Sequence, residues 1–313
     1  MEQRKLTVSV GIPAYNEEAN IKYLLDDLLS QKQDTFILKE IIVISDGSMD
    51  RTVDIAKAFD NDKMRLLEDG KREGKIKRLN EMFGVFKGDI LVQFDADVRL
   101  SDEFVLEKMV KPFLMDEQTA LVCGNHKPSA PKGFIERSAY FGVQVWDDAI
   151  DMLGERDGRY RCTGQIRAFS RQFLETFRFP LDIGSGEDTF SFYFAKIHHF
   201  KVVFARDALI YHRLPTTFKD YMRQMSRFIY AKNQMEQYFT KEQCKEYETM
   251  TAMIRMRSLL KNVFRSSPIT VLGFLILHIA PRVAVLTYKH KRIWDVASSS
   301  KNLAAGSRES NIG

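Results

Sequence analysis

Asp95 and Asp97 flank Ala96 where the apolar run "DILVQF" ends and a polar turn begins. On an extended segment residues two apart face the same side, so this spacing predicts both carboxylates in one small volume. Like charges held that close repel. A divalent cation with oxygen ligands is the economical compensation, since Mg²⁺ takes one or two carboxylates together with substrate phosphates. The plainer reading is an Asp-rich turn, with Asp102 capping the next helix. A second acidic pair, Glu187 and Asp188, follows the Gly184-Ser185-Gly186 bend at the head of an apolar helical run, where negative charge also complements a helix dipole.

The elements that must position these groups are legible in the first 125 residues. "LTVSVGI" (6 to 12), "EIIVIS" (40 to 45), "MRLLE" (64 to 68) and "DILVQF" (89 to 94) read as strands, each followed by a polar loop. Ile21, Leu24, Leu25, Leu28 and Leu29 follow helical spacing, Asp50 is placed to start a second helix, and "GKIKRLNEMFGVF" reads as a third. Repeated strand, loop and helix predict an α/β fold with a mostly parallel sheet flanked by helices. Ligands of such sheets bind beyond the carboxyl ends of the strands. The polar clusters "PAYNEE", "SDGSMD", "GKREGK" and "DAD" all fall there, which predicts a pocket along one rim. Neither GxGxxG nor GxxxxGK[ST] occurs, so diphosphate recognition falls to a metal.

Beyond residue 125 the alternation stops. Trp146 and Phe141 lie at helical spacing, as core aromatics do, and receive no role. Cys123, Cys162 and Cys244 are far apart without metal-ligand spacing, which argues against a zinc module or a disulfide framework and suits a reducing cytosol. The N-terminus lacks the apolar run of a signal peptide.

The net charge of +5 is uneven: residues 251 to 313 carry ten Lys and Arg against two acids, +8, leaving −3 for the remainder. This basic stretch surrounds "PITVLGFLILHIAPRVAVLTY", a coincidence that favours anionic lipid over nucleic acid. His278, Pro281 and Arg282 interrupt the apolar run, so a helix lying in the membrane interface, or a bent pair, is preferred to a true span. The expected organisation is a catalytic domain over 1–240, divided at 125 into nucleotide and acceptor halves, then a helical membrane-associating region over 241–297, with its contact in 255–294, and a disordered tail over 298–313.

"PAYNEE", "SDGSMDRT", "GKIKRLN", "DAD", "TGQIRAFSR", "GEDTF" and "QMSRF", in this order, resemble family 2 glycosyltransferases, the inverting enzymes of the GT-A fold, over roughly residues 6 to 230. The resemblance implies that Pro13, Tyr15, Glu17, Asp46, Lys75 and Asp95 hold the nucleotide, with Asp46 accepting from a uracil ring. It places Asp97, with Asp95, on Mg²⁺ or Mn²⁺ and makes Asp188 the general base. Gln224, Arg227, Glu187 and Gly164 would face acceptor or diphosphate. "QMSRF" resembles the QxxRW motif, with Phe228 for tryptophan, which keeps an aromatic and removes the indole donor. His212 is placed to reach metal or diphosphate, or to be a structural histidine.

Polymer synthases of this family carry several spanning helices, and this chain has at most one or two. The implied activity is non-processive hexosyl transfer from a nucleotide donor, UDP first, to a lipid-linked or glycan acceptor at the cytoplasmic membrane face. The rival classes are a sugar nucleotidyltransferase, which would need a Gly-rich triphosphate loop, and an inactive membrane-binding module, which would tolerate loss of Asp97 or Asp188.

Overall fold

A computed structural model describes residues 5–154, 158–184, 186–285 and 298–301. The expected α/β architecture is present. Strands β1 (Leu6–Ala14), β2 (Phe36–Ser45), β3 (Met64–Leu67) and β4 (Ile90–Phe94) pair in parallel, alternating with α1 (Ile21–Leu29), α2 (Thr52–Lys57) and α3 (Lys75–Val85). Asp50 accepts from the Thr52 amide at 3.0 Å, as a helix start requires. The chain continues through β5 (Val98–Leu100), α4 (Val105–Met115), β6 (Thr119–Pro128), α5 (Phe134–Asp151), α6 (Gly158–Arg161), β7 (Ile166–Ser170), α7 (Arg171–Thr176), α8 (Glu187–Ile197), β8 (Lys201–His212) and α9 (Phe218–Gln234). One sheet results, ordered β3-β2-β1-β4-β7-β6-β8-β5. β7 runs antiparallel between β4 and β6, and β5 antiparallel to β8, so the mostly parallel sheet carries an antiparallel insertion at its centre.

Alternation along the strands builds two cores. Val8, Val10, Ile41 and Val43 face α1 residues Leu24, Leu25 and Leu28 on one side. Ile42, Ile44 and Leu91 face α3 on the other, continuous with Phe169, Phe173, Phe177 and Phe190. Each fully buried Phe contributes roughly 1.5–3 kcal/mol.

Two expectations need correcting here. Asp95 and Asp97 are not on an extended segment: β4 ends at Phe94, and Ala96 and Asp97 form a turn before β5. Cys123 and Cys162 form a disulfide, because Cys123 lies opposite Arg167 in the β6–β7 ladder, which folds residue 162 back onto β6. Linear spacing conceals a neighbour that sheet order supplies. Cys244 is buried as a free thiol.

The C-terminal part is helical: α10 (Lys241–Tyr247), α11 (Ala252–Val263) and α12 (Pro268–Val285). α12 crosses α5 closely, since a Cβ at Gly273 would lie 2.2 Å from Ser138 Oγ. Phe274 and Leu277 are buried, whereas Ile269, Leu272, Ile279 and Val283 are exposed. Among the described residues no helix is long and apolar enough to cross a membrane. Residues 286–294 of the expected membrane contact and 302–313 of the expected tail lie outside the described residues. The first residues of that tail are ordered: Ser298–Ser300 form a 3-10 turn whose Ser299 amide donates to Asp220 at 3.0 Å.

His126 on β6 and His212 on β8 pack ring to ring at 5.1 Å. Burial, then His212 and Arg161, push His126 down to about 3, and burial alone takes His212 to about 4. Both fold neutral. Their folded values lie below the ordinary 6.5, so this contribution is complete above pH 6.5. As pH falls toward 4 it is lost by up to about 1.4 kcal/mol per unit for each histidine. Urea titrations between pH 7.5 and 4.5 should show that decline, reduced in His126→Asn; identical slopes in the two proteins would contradict it.

Candidate active site

Sequence-distant elements converge at the carboxyl ends of β1, β2 and β4. Lys75 opens α3 and Glu187 opens α8, so two helix N-termini meet with opposite charges. Lys75 Nζ lies 2.6 Å from Asp95 Oδ1 and 3.0 Å from Glu187 Oε1. Burial opposes the ammonium, but Asp95 and Glu187 outweigh it, so Lys75 is held well above the usual lysine range. Burial raises Glu187 as well, and Lys75 with Arg167 more than reverse that, leaving it below the usual carboxylate range. Asp95 moves the other way: burial, then Asp97 and Glu187, raise it against the pull of Lys75. Asp188 is raised by burial and then by Glu187.

Arg167 is the support beneath this cluster and had no assigned role in the sequence reading. Fully buried on β7, it donates through Nε and Nη2 to Gln93 Oε1 at 3.1 and 3.0 Å, and through Nη1 to the Glu187 carbonyl and Ser191 Oγ, both at 3.1 Å. Gln93 is also buried and donates to Asp95 Oδ1 at 3.2 Å and to the Gly164 carbonyl at 3.0 Å. A polar residue inside a run patterned as buried strand, Gln93 in "ILVQF" and Arg167 in "IRAFS", was the available signal, because such groups survive burial only when paired. Gly164 serves by its missing side chain. A Cβ there would lie 2.8 Å from Glu187 Oε1 and 3.6 Å from Lys75 Nζ.

The β1 loop forms the other wall. Tyr15 lies beneath the Arg72 guanidinium at 3.9 Å. The Glu17 amide donates to Thr52 Oγ1 at 2.6 Å and its carboxylate accepts from Asn20 at 2.9 Å. Burial, then Asp97, push Glu17 up to about 8 although Lys301 Nζ lies 2.5 Å from it. Pro13, one residue before the end of β1, lies opposite Ile44. Asp46, expected to face a uracil ring, is engaged by its own chain: its carboxylate accepts from the Glu73 and Gly74 amides at 2.8 and 3.0 Å and from Arg78 Nε at 3.1 Å. It thereby holds the 70–75 loop that delivers Lys75. Gln224 and Arg227 lie on α9, and Phe228 is half exposed.

Glu17, Asp95, Asp97, Glu187 and Asp188 thus meet Lys75, Arg167 and Lys301, five carboxylates against three cations. Fully ionised, the cluster has two excess negative charges, and the raised Glu17, Asp95 and Asp188 carry that strain. Among the described residues no group of three or more His, Cys, Asp or Glu is arranged to hold a metal. Asp95 and Asp97 make a pair of hard oxygen donors, the number Mg²⁺ takes beside phosphate, and the charge excess fits a divalent cation.

A mostly parallel sheet with a charged rim, closed by two helix N-termini, puts the candidate site beyond the carboxyl ends of the strands, where ligands of such sheets bind. The chain belongs to glycosyl transferase family 2, whose model matches residues 9–196, more than half of its length. The human dolichyl-phosphate beta-glucosyltransferase is 31% identical over 202 residues, covering 56% of this chain and 61% of that protein. The chain therefore spans less than two thirds of that relative. Among solved structures, the mannosyltransferase PcManGT from Pyrobaculum calidifontis, in complex with GDP-Man and Mn²⁺, has a TM-score of 0.59 at 19% identity, covering 96% of this chain and 88% of its own. Glucosyl-3-phosphoglycerate synthase from Mycobacterium tuberculosis, in complex with Mn²⁺, UDP-Glc and phosphoglyceric acid, has a TM-score of 0.51 at 19% identity, covering 77% and 80%. At these identities the likeness is one of fold.

Arg167→Met would strip the donors from buried Gln93 Oε1, remove one hydrogen bond each from Ser191 Oγ and the Glu187 carbonyl, and delete a buried cation beside Glu187, so it should lower unfolding stability by about 3–5 kcal/mol. Equilibrium denaturation measures this, and a loss below about 1 kcal/mol would remove Arg167 from its supporting role.

Proposed function

We propose that this chain transfers a hexosyl group from a nucleoside diphosphate donor, UDP first, to a membrane-presented acceptor, with inversion and without processive elongation. The observation that carries this reading is the contiguous chain of charges from Asp97 through Asp95, Lys75 and Glu187 to Asp188. It supports reading Asp188 as a base beside a rim that takes phosphate. Residues 1–125 supply most of the donor half, with Pro13, Tyr15 and Glu17 against the nucleoside, and residues 126–240 the acceptor half.

Asp188, whose proton affinity is raised, takes the proton from the acceptor hydroxyl as it attacks the anomeric carbon. One base acting on the face opposite the leaving group gives a single displacement, hence inversion. Asp95 and Asp97 would hold Mg²⁺ or Mn²⁺, which when bound neutralises charge on the departing diphosphate. Lys75 stands on the same side, and Gln224 and Arg227 are assigned to acceptor or diphosphate.

Calorimetry with UDP and Mn²⁺ tests the division of labour. Asp97→Ala should lose metal-dependent binding. Asp188→Asn should bind normally and turn over about 10²- to 10⁴-fold more slowly. Equal UDP affinity with the metal chelated would reject the part given to Asp97.

The acceptor is assigned to the lipid-linked class, supported by the human relative's name and by α11 and α12. α11 and its C-cap expose Met253, Met256, Leu260 and Phe264, the last at 88%, and α12 exposes Ile269, Leu272, Ile276 and Ile279; Arg255, Arg257, Lys261 and Arg265 are interspersed in sequence in a stretch without acids. Each base near anionic lipid contributes roughly 1 kcal/mol. This surface would rest on the cytoplasmic leaflet. Phe264→Glu with Leu260→Glu should abolish co-sedimentation with phosphatidylglycerol vesicles while leaving UDP binding intact; undiminished sedimentation would refute the assignment.

A further inference from the structure

Lys301 comes from the far end of the chain to the β1 loop. Its ammonium donates to the carbonyls of Tyr15 and Asn16, the latter at 3.1 Å, and lies 2.5 Å from Glu17 Oε1 and 5.6 Å from the Tyr15 ring centre. An ammonium has three donors, so these three oxygens saturate it. The Lys301 carbonyl accepts from Asn20, which also holds Glu17. Two residues earlier, Ser299 donates its amide to Asp220 at 3.0 Å, and its hydroxyl accepts from the Thr216 amide at 3.2 Å. Residues 299–301 therefore strap the β1 loop to the N-terminus of α9. The loop needs such a support, because Asn16 sits at φ 53°, in the left-handed region, and Glu17 is buried close to Asp97.

We propose that Lys301 is a positioning residue of the donor site, fixing Tyr15, Asn16 and Glu17 in their nucleotide-binding arrangement from a strap anchored on Asp220. The proposal rests on the reading of the rim as a nucleotide site. With all three ammonium donors spent on the protein, the side chain acts through the loop and leaves phosphate to other groups.

The test is calorimetric titration of the full chain with UDP and, in parallel, GDP in the presence of Mn²⁺, with hydrogen exchange followed over residues 13–20. Lys301→Ala should weaken nucleotide binding about tenfold, consistent with loss of a charged hydrogen-bonding partner, and speed exchange in that segment with the melting temperature unchanged. Lys301→Arg should restore most of the affinity. Ser299→Pro, which removes the amide donor to Asp220, should reproduce the alanine effect. Unchanged affinity in Lys301→Ala, or tighter binding because the ammonium had been obstructing the pocket, would overturn the proposal alone. Absence of UDP and GDP binding in the unmodified protein would overturn the nucleotide reading and this proposal with it.

Discussion

The rim is organised by one buried ammonium. Lys75 stands between Asp95 and Glu187, and without it the two carboxylates would face Asp97 and Asp188 with Arg167, and Lys301 at Glu17, left to offset five acids. At about 4 Å and an effective dielectric near 20, one unscreened like-charge pair costs about 4 kcal/mol. Several such pairs would prevent the β4 turn and the head of α8 from occupying the same region. Lys75 begins a helix, where the backbone dipole disfavours a cation, so only the surrounding carboxylates make that position tenable.

The support for this arrangement is covalently distant from it. Asp46 orders the loop before Lys75 by accepting from two amides and Arg78, and β7 carries Arg167 underneath through Gln93. Because β7 enters antiparallel between β4 and β6, Gly164 arrives beside the β4 exit, and its lack of a side chain lets Glu187 reach Lys75. Burial then separates the acids by environment. Glu187, paired with cations, stays ionised, while Asp188, with Glu187 for a neighbour, gains proton affinity. Two adjacent carboxylates thereby acquire different chemistry.

The C-terminal helices extend the same domain. α12 packs on α9 and, through close approach at Gly273, on α5, which leaves an apolar and basic surface on α11 and α12 facing outward. The chain then returns at Ser299–Lys301 to Asp220 and to the loop after β1. The proposed lipid surface and the support for the proposed nucleotide segment thus come from one C-terminal region.

The sequence alone determined the strand–loop–helix alternation, the rim on which the polar loops fall and the acidic groups with a chemical use, because hydrophobic period and turn chemistry act over a few residues. It also carried the family pattern through "PAYNEE", "DAD" and "GEDTF". Only the tertiary structure decided which charges meet. That Lys75 stands between Asp95 and Glu187, that Cys123 finds Cys162, that Arg167 underlies Glu187 and that Asn20 touches Lys301 281 residues away are consequences of sheet order and helix packing. Residue type and local spacing contain no term for such encounters; burial and charge compensation select them once the layers close.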